Sequence, residues 1–175
     1  MLVSAHLPSN QKVKRSVTWR KILKASSFGF SLIELLITLA IAAIFAALAA
    51  PSFRDLVAGQ RVKTASYDIS HTLTGVRSEA LKRNLNVVLA PNTGGWQNGW
   101  TITVGVGGPT LGQHEAFADL TISGPATNLT YNSSGRLTTA VTPFTVSSSV
   151  SSNASSRCIS IDLSGLPSSK AGACG

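Results

Sequence analysis

Hydrophobic residues follow three successive patterns along this chain. Residues 35–50 form an apolar run that only Thr38 interrupts. Beyond Pro51 apolar residues recur every three or four positions, and after Asn84 they occur in short segments between clusters of turn residues. These patterns are typical of a membrane-spanning helix, an amphipathic helix and β-strands, respectively. The chain is therefore predicted to have an α+β fold.

The first two patterns predict one long helix over residues 30–83. At a rise of about 1.5 Å per residue, residues 30–53 could cross about 30 Å of hydrocarbon. Pro51 lacks a backbone donor and is expected to interrupt or kink the helix. Glu79 should pair with a basic residue one turn later. The apolar stripe of the second part, which should pack in a folded head, consists of Val62, Ala65, Ile69, Leu73, Val76 and Ala80.

The third pattern predicts short strands joined by polar turns. Asn84 ends the helical pattern, residues 105–109 form a Gly-rich loop, and His114 and Glu115 stand in a loop. Residues 164–175 show no periodicity and are expected to form a tail. The predicted strands cover residues 85–90, 100–106, 117–122, 129–131, 144–150 and 158–163.

Charge is distributed unevenly. Residues 1–29 hold six of the fifteen basic residues and none of the seven acidic ones. The formal charge of +8 suggests a nucleic-acid partner, but without residues 1–29 only nine basic residues face seven acidic ones. A basic segment before an apolar run also resembles a secretory signal. By the positive-inside rule the basic flank stays in the cytoplasm and the head is exported.

The junction between the basic segment and the apolar run reads Gly29-Phe30-Ser31-Leu32-Ile33-Glu34. A carboxylate inside a membrane segment costs about 2.5–3.5 kcal/mol on insertion scales, so Glu34 should have a partner. This combination resembles the class III leader of type IV pilins and type II secretion pseudopilins. The resemblance implies cleavage between Gly29 and Phe30 by a prepilin peptidase and N-methylation of Phe30. It also implies that Glu34 pairs with the N-terminus of a neighbouring subunit and fixes register.

Two other interpretations of the N-terminal region remain open. An ordinary signal peptide would be cut after the small-residue segment 47–49, which would release a soluble protein. A plain membrane anchor would carry Glu34 incidentally.

Three later segments resemble the GspH/FimT family of pilin-like proteins. They are Gly-Val-Arg-Ser-Glu-Ala-Leu-Lys-Arg-Asn at 75–84, Gly-Gly-Trp-Gln-Asn-Gly-Trp at 94–100 and Tyr-Asn-Ser-Ser-Gly-Arg at 131–136. The resemblance implies a long kinked helix packed on a small antiparallel sheet. It divides the chain into a leader (1–29), a transmembrane and filament-core helix (30–53) and a periplasmic head (54–175).

The family resemblance also implies a function and partners. The chain would be a structural minor subunit of a type II secretion pseudopilus or a type IV pilus, single-pass in the bacterial inner membrane. Its partners would be other pilin subunits, the prepilin peptidase and the inner-membrane assembly platform. The alternative that the resemblance implies is a DNA-binding minor pilin that acts in DNA uptake for natural transformation. Such members resemble each other in a C-terminal Gly-Arg-x-Arg motif, but residues 165–168 here read Gly-Leu-Pro-Ser. DNA binding is therefore disfavoured, with Arg136, Arg157 and Lys170 as the remaining candidate contacts.

The chain contains two cysteines, Cys158 and Cys174. An exported head lies in an oxidising compartment, which favours a disulfide over two free thiols. The bond would close a loop of about 17 residues and contribute about 3 kcal/mol in the chain-entropy model. The spacing does not fit a zinc site.

No catalytic motif is apparent in the sequence. Asp68 and His71 are three residues apart on a helix, which fits a surface contact better than a catalytic dyad. No nucleophile elbow, phosphate loop or metal-ligand spacing is present, so no cofactor and no metal are expected. Besides a structural subunit and a DNA-binding subunit, an anchored or secreted enzyme is a third hypothesis. It would require catalytic side chains clustered in the folded head.

Overall fold

The computed structural model describes residues 29–175, so most of the predicted leader lies outside the described residues. Helix α1 covers Leu32–Arg83. It begins after Ser31, whose side-chain oxygen accepts a hydrogen bond from the backbone N–H of Glu34 at 3.2 Å. It ends at Asn84, which has a left-handed φ of 53°. Asparagine tolerates this conformation better than most residues, which makes it a common helix terminator. The predicted end of the helix is confirmed.

The expectation that Pro51 interrupts the helix is wrong, because α1 is continuous through this residue. A proline inside a helix removes one backbone hydrogen bond but leaves the neighbouring ones. The alanines and leucines on its N-terminal side have high helix propensity, which favours continuation of the helix.

The head contains eight strands in two antiparallel sheets, where the sequence predicted one small sheet. The first sheet has the order β3-β2-β1-β5, and the second has the order β4-β6-β7-β8. A short 3-10 helix, Trp96–Asn98, precedes β2. The strands are β1 Val87–Pro91, β2 Trp100–Val104, β3 Thr110–His114, β4 Leu120–Ser123, β5 Leu129–Tyr131, β6 Phe144–Ser148, β7 Arg157–Ile161 and β8 Pro167–Ala171.

Two of these strands are not predicted by the sequence pattern. β3 ends at His114, which was expected in a loop, and it pairs with β2 through Trp100 opposite His114. β8 lies within the expected tail and pairs with β7 from Arg157 opposite Ala171 to Ile161 opposite Pro167. Both strands are sheet edges with few buried side chains, so they carry little hydrophobic signal.

The core forms where the apolar stripe of α1 packs against both sheets. All six predicted stripe residues are buried, which confirms the amphipathic helix. The largest fully buried side chains from the strands are Trp100, Tyr131 and Phe144. The chain forms two compact units, with the boundary between Ala40 and Ile41. The unit Ile41–Gly175 contains the rest of α1 and both sheets.

Candidate assembly interface

The N-terminal part of α1 presents only exposed side chains. Every residue from Gly29 to Arg54 is exposed, and helix α1 is long and apolar enough to cross a membrane. A helix that is apolar on all sides is stable only when lipid or other protein surrounds it. The large side chains, each about half or more exposed, are Phe30, Leu32, Ile33, Leu35, Leu36, Ile37, Leu39, Ile41, Ile44, Phe45, Leu48 and Phe53.

Glu34 is the only charged residue between Gly29 and Phe53. It lies in the first turn of α1, where the helix dipole favours negative charge. Within residues 29–175 its carboxylate takes part in no hydrogen bond or salt bridge. The hydroxyl of Thr38, in contrast, donates to the Leu35 carbonyl at 2.9 Å and is satisfied locally. Glu34 is therefore the one charged group of this segment, and its carboxylate has no partner among residues 29–175.

The Ser31 cap was not identified from the sequence, although the pattern was available. Ser31 and Glu34 have the Ser-x-x-Glu spacing of a capping box. The observed bond from the Glu34 N–H to the Ser31 side chain is one half of this motif. It places the start of the helix two residues after Phe30, whose predicted amine would precede the first helical turn.

Polar contacts join the part of α1 after Pro51 to loops that connect the strands. Arg61 forms a salt bridge with Asp119 in the loop between β3 and β4. Sixteen residues further on, the Nε of Arg77 donates to the Gly135 carbonyl at 2.9 Å in the loop after β5. A Cβ on Gly135 would lie 3.0 Å from the Leu81 side chain, so a glycine is needed for this close approach. The helix is thus held to the head at two separated points.

A third contact joins α1 to the loop between β6 and β7. The Ser151 hydroxyl donates to one carboxylate oxygen of Asp55 at 2.6 Å, and the Asn153 amide donates to the other at 2.9 Å. These two hydrogen bonds, with Ser151 the stronger influence, hold the pKa of Asp55 below its usual value. This anchor was not predicted, because serine and asparagine in a Ser-rich stretch indicate only a loop.

Ion pairing at the end of α1 follows the prediction. Glu79 pairs with Arg83 at 2.8 Å and with Lys82 at 3.3 Å. The hydrogen bond from Arg83, followed by that from Lys82, lowers the pKa of the Glu79 carboxyl. These exposed pairs belong to the helix surface and add little to the stability of the head.

An open apolar groove of about 600 Å³ lies between residues 53–65 of α1 and the segment 116–120. Phe53 and Leu56 of α1 line one side of it, and Phe117 and Leu120 line the other. Phe117 lies in the loop before β4 rather than in the predicted strand 117–122, and it stacks on His114 with ring centroids 4.5 Å apart. The apolar surface of α1 therefore continues from the exposed segment onto the head.

The C-terminal segment is fixed by the predicted disulfide. Cys158 of β7 is bonded to Cys174, with their Cα atoms 5.0 Å apart. The backbone N–H of Cys174 also donates to the Thr145 hydroxyl at 3.4 Å. Just before β8, the Gly165 carbonyl accepts a hydrogen bond from Tyr131 at 3.3 Å, and burial raises the pKa of this tyrosine to about 12. The expected tail is thus an integral part of the second sheet.

The candidate DNA contacts are not brought together. Arg157 pairs with Val146 of β6 and Ala171 of β8, whereas Lys170 pairs with Cys158. Because side chains alternate along a strand, Arg157 and Lys170 project from opposite faces of the second sheet. Arg157 faces α1, where its guanidinium lies 6.0 Å from the centre of the Tyr67 ring. Arg136 lies in the turn after β5. Hydrogen bonds from Ser164 are the main cause that lowers the pKa of Asp162, and the charge of Arg136 adds a smaller effect.

The described residues contain no group of three metal-ligating side chains. Among residues 29–175, Asp68 and His71 form no hydrogen bond with each other. His114 is stacked between Trp100 and Phe117, with ring centroids 4.4 and 4.5 Å away, and its Nδ1 is 2.7 Å from the Glu115 carbonyl. This histidine therefore serves packing at the sheet edge.

Comparisons with known proteins agree with this geometry. The profile of the family described as type II transport protein GspH matches residues 65–165, and that of the prokaryotic N-terminal methylation motif matches residues 24–50. Two crystal forms of the type IV minor pilin FimU from Pseudomonas aeruginosa PAO1 share the fold. One is 23% identical, with a TM-score of 0.53, over 62% of this chain and 91% of FimU. The other is 22% identical, with a TM-score of 0.56, and the match covers 63% of this chain and 89% of the FimU chain. A comparison with curated proteins gave no match.

Proposed function

We propose that this chain, which belongs to the type II transport protein GspH family, is a structural minor subunit of a secretion pseudopilus or type IV pilus. The observation that carries this proposal is the fully exposed apolar segment of α1 from Phe30 to Phe53. Soluble monomeric proteins rarely expose apolar patches larger than a few hundred Å². This segment needs a lipid environment before assembly and a packed helical environment afterwards.

The proposed maturation begins at the membrane. The prepilin peptidase cleaves between Gly29 and Phe30, and the new amine of Phe30 is methylated. The methylation-motif match over residues 24–50 supports this step. The single span then holds the head on the periplasmic side of the inner membrane until the assembly platform extracts the subunit. Other pilin subunits replace the lipid around α1.

Glu34 is the residue on which assembly depends in this proposal. Its carboxylate is unpartnered within residues 29–175 and lies among apolar side chains. The positive N-terminal amine of a neighbouring subunit would neutralise it in the filament core. Leaving one member of a buried ion pair without its partner costs about 3–5 kcal/mol, so the pair favours one register between subunits.

The test is incorporation of Glu34→Ala into filaments, measured by the amount of processed chain in a sheared filament fraction. Leader cleavage should continue and incorporation should fall strongly, because the neighbouring amine loses its carboxylate. Thr38→Ala is the matched control, since Thr38 bonds only to the Leu35 carbonyl of its own helix. Equal incorporation of Glu34→Ala and the control would refute the role of Glu34.

A further inference from the structure

We infer that a pocket beside α1 binds the phosphate of an anionic phospholipid headgroup while the subunit is anchored in the membrane before assembly. The inference rests on the proposed membrane anchoring and adds a ligand to it. The pocket has a volume of about 320 Å³ and lies between α1 and the segment 153–157. Its cationic lining residues are Lys63 of α1 and Arg157 of β7.

Both cations retain unused donors. Within residues 29–175, Lys63 has no carboxylate within salt-bridge distance, and the buried Nε of Arg157 makes no hydrogen bond. One terminal nitrogen of Arg157 donates to the Ser169 hydroxyl at 3.3 Å. Ser155 and Ser156 add hydroxyl groups to the lining. Guanidinium, ammonium and hydroxyl groups together are suited to phosphate oxygens.

Asp55 also lines the pocket, but its carboxylate is already occupied. Ser151 and Asn153 each donate a hydrogen bond to one of its oxygens. The carboxylate therefore shapes the loop beside the pocket, and the lining retains one net positive charge. An anion remains the favoured ligand.

The position of the pocket along α1 identifies the source of the anion. The apolar span ends at Phe53, and the helical lining residues run from Asp55 to Lys63, about 3–15 Å further along the helix axis. The headgroup layer of each leaflet begins at the end of the hydrocarbon and is about 5–8 Å thick. Side chains on a helix lean towards its N-terminus, so we expect the long Lys63 side chain to extend towards this layer. Membrane phosphates are therefore the nearest abundant anions.

The test is a titration of the full processed chain in detergent micelles, with lipid adducts quantified by native mass spectrometry. Phosphatidylglycerol should bind more tightly than phosphatidylcholine. Lys63→Gln should weaken phosphatidylglycerol binding about fivefold, which corresponds to one basic residue near an anionic surface. It should weaken phosphatidylcholine binding less, because the choline cation offsets the phosphate charge of that lipid. Lys82→Gln is the control, because Lys82 lies near the opposite end of the head-packed helix and pairs with Glu79.

Four results would overturn the inference. The first is equal affinity for the two lipids, and the second is an equal effect of Lys63→Gln and Lys82→Gln. The third is displacement of phosphatidylglycerol by inorganic phosphate at matched concentration, which would identify a general anion site. A carbodiimide crosslink from Lys63 to a second copy, without lipid preference, would assign the pocket to a protein carboxylate instead.

Membrane fractionation and the N-terminal mass of the same sample separate this inference from the proposed function. An anchored, processed chain without lipid preference contradicts only the pocket. A head released from the membrane contradicts the anchoring itself.

Discussion

Replacing both half-cystines, Cys158→Ser together with Cys174→Ser, is expected to destabilise the head without changing its fold. The disulfide joins residues 16 positions apart and fixes the segment that follows β8. Closing a loop of about 15 residues lowers the entropy of the unfolded chain by the equivalent of about 3 kcal/mol. The strand pairing between β7 and β8 remains available in the variant, so the native fold should still form.

The expected loss can be converted into a melting temperature. A destabilisation of 1 kcal/mol lowers the melting temperature by about 4–8 °C in domains of about 60–100 residues and by about 2–4 °C in domains of about 150–250 residues. The head is intermediate in size, so we use about 4 °C per kcal/mol. The double variant should therefore melt about 12 °C below the disulfide-bonded protein. Tryptophan fluorescence is a suitable probe, because Trp96 and Trp100 are buried in the head and Trp19 would leave with the leader.

The assay is denaturant unfolding of the processed chain in detergent, followed by tryptophan fluorescence. The wild-type chain with its disulfide reduced is the matched control, and it should lose the same free energy of unfolding as the double serine variant. A loss below about 1 kcal/mol in both samples would refute the loop-entropy argument. A loss in the variant alone would instead indicate a cost of placing serine at the buried position of Cys158.

Two further predictions concern the packing and the pH response of the head. Leu73→Ala should lower the free energy of unfolding by about 2–5 kcal/mol, because Leu73 is fully buried, whereas the exposed His71→Ala should change it by less than about 0.5 kcal/mol; equal denaturation midpoints would contradict the packing of α1. The pKa of Asp55 is lowered from its ordinary value of 3.8. Its contribution to the free energy of unfolding is therefore complete above pH 3.8 and is lost as the pH falls through the pKa of the folded state. Hydrogen-exchange protection of the Ala154 amide should fall in that range, and Asp55→Asn should remove the pH step.

The helix could be predicted from the sequence because its signals are local and strong. The stripe from Val62 to Ala80 fixes the buried face, and Asn84 fixes the end. The exposed apolar segment could also be predicted, since composition alone identifies it. The continuity of the helix through Pro51 could not be predicted. The cost of one missing hydrogen bond is offset by the helix propensity of the alanines and leucines before Pro51, which the hydrophobic pattern alone does not indicate.

The edge strands and the pocket could not be predicted, and for a different reason. β8 reads Pro-Ser-Ser-Lys-Ala and carries no apolar alternation, so its strand character comes from pairing with β7. The opposite orientation of Arg157 and Lys170 follows from that register. The hydrogen bonds of Asp55 join residues almost one hundred positions apart, and no local pattern indicates such a contact.

The most direct test of the proposed function is the N-terminal mass of this chain in purified filaments. The proposal predicts a peptide that begins with N-methylated Phe30, recovered from the filament fraction and absent from the soluble periplasm. A chain that begins after Ala49 and is recovered only as a soluble protein would contradict it, because the segment that carries Glu34 and the exposed apolar helix would then have been removed.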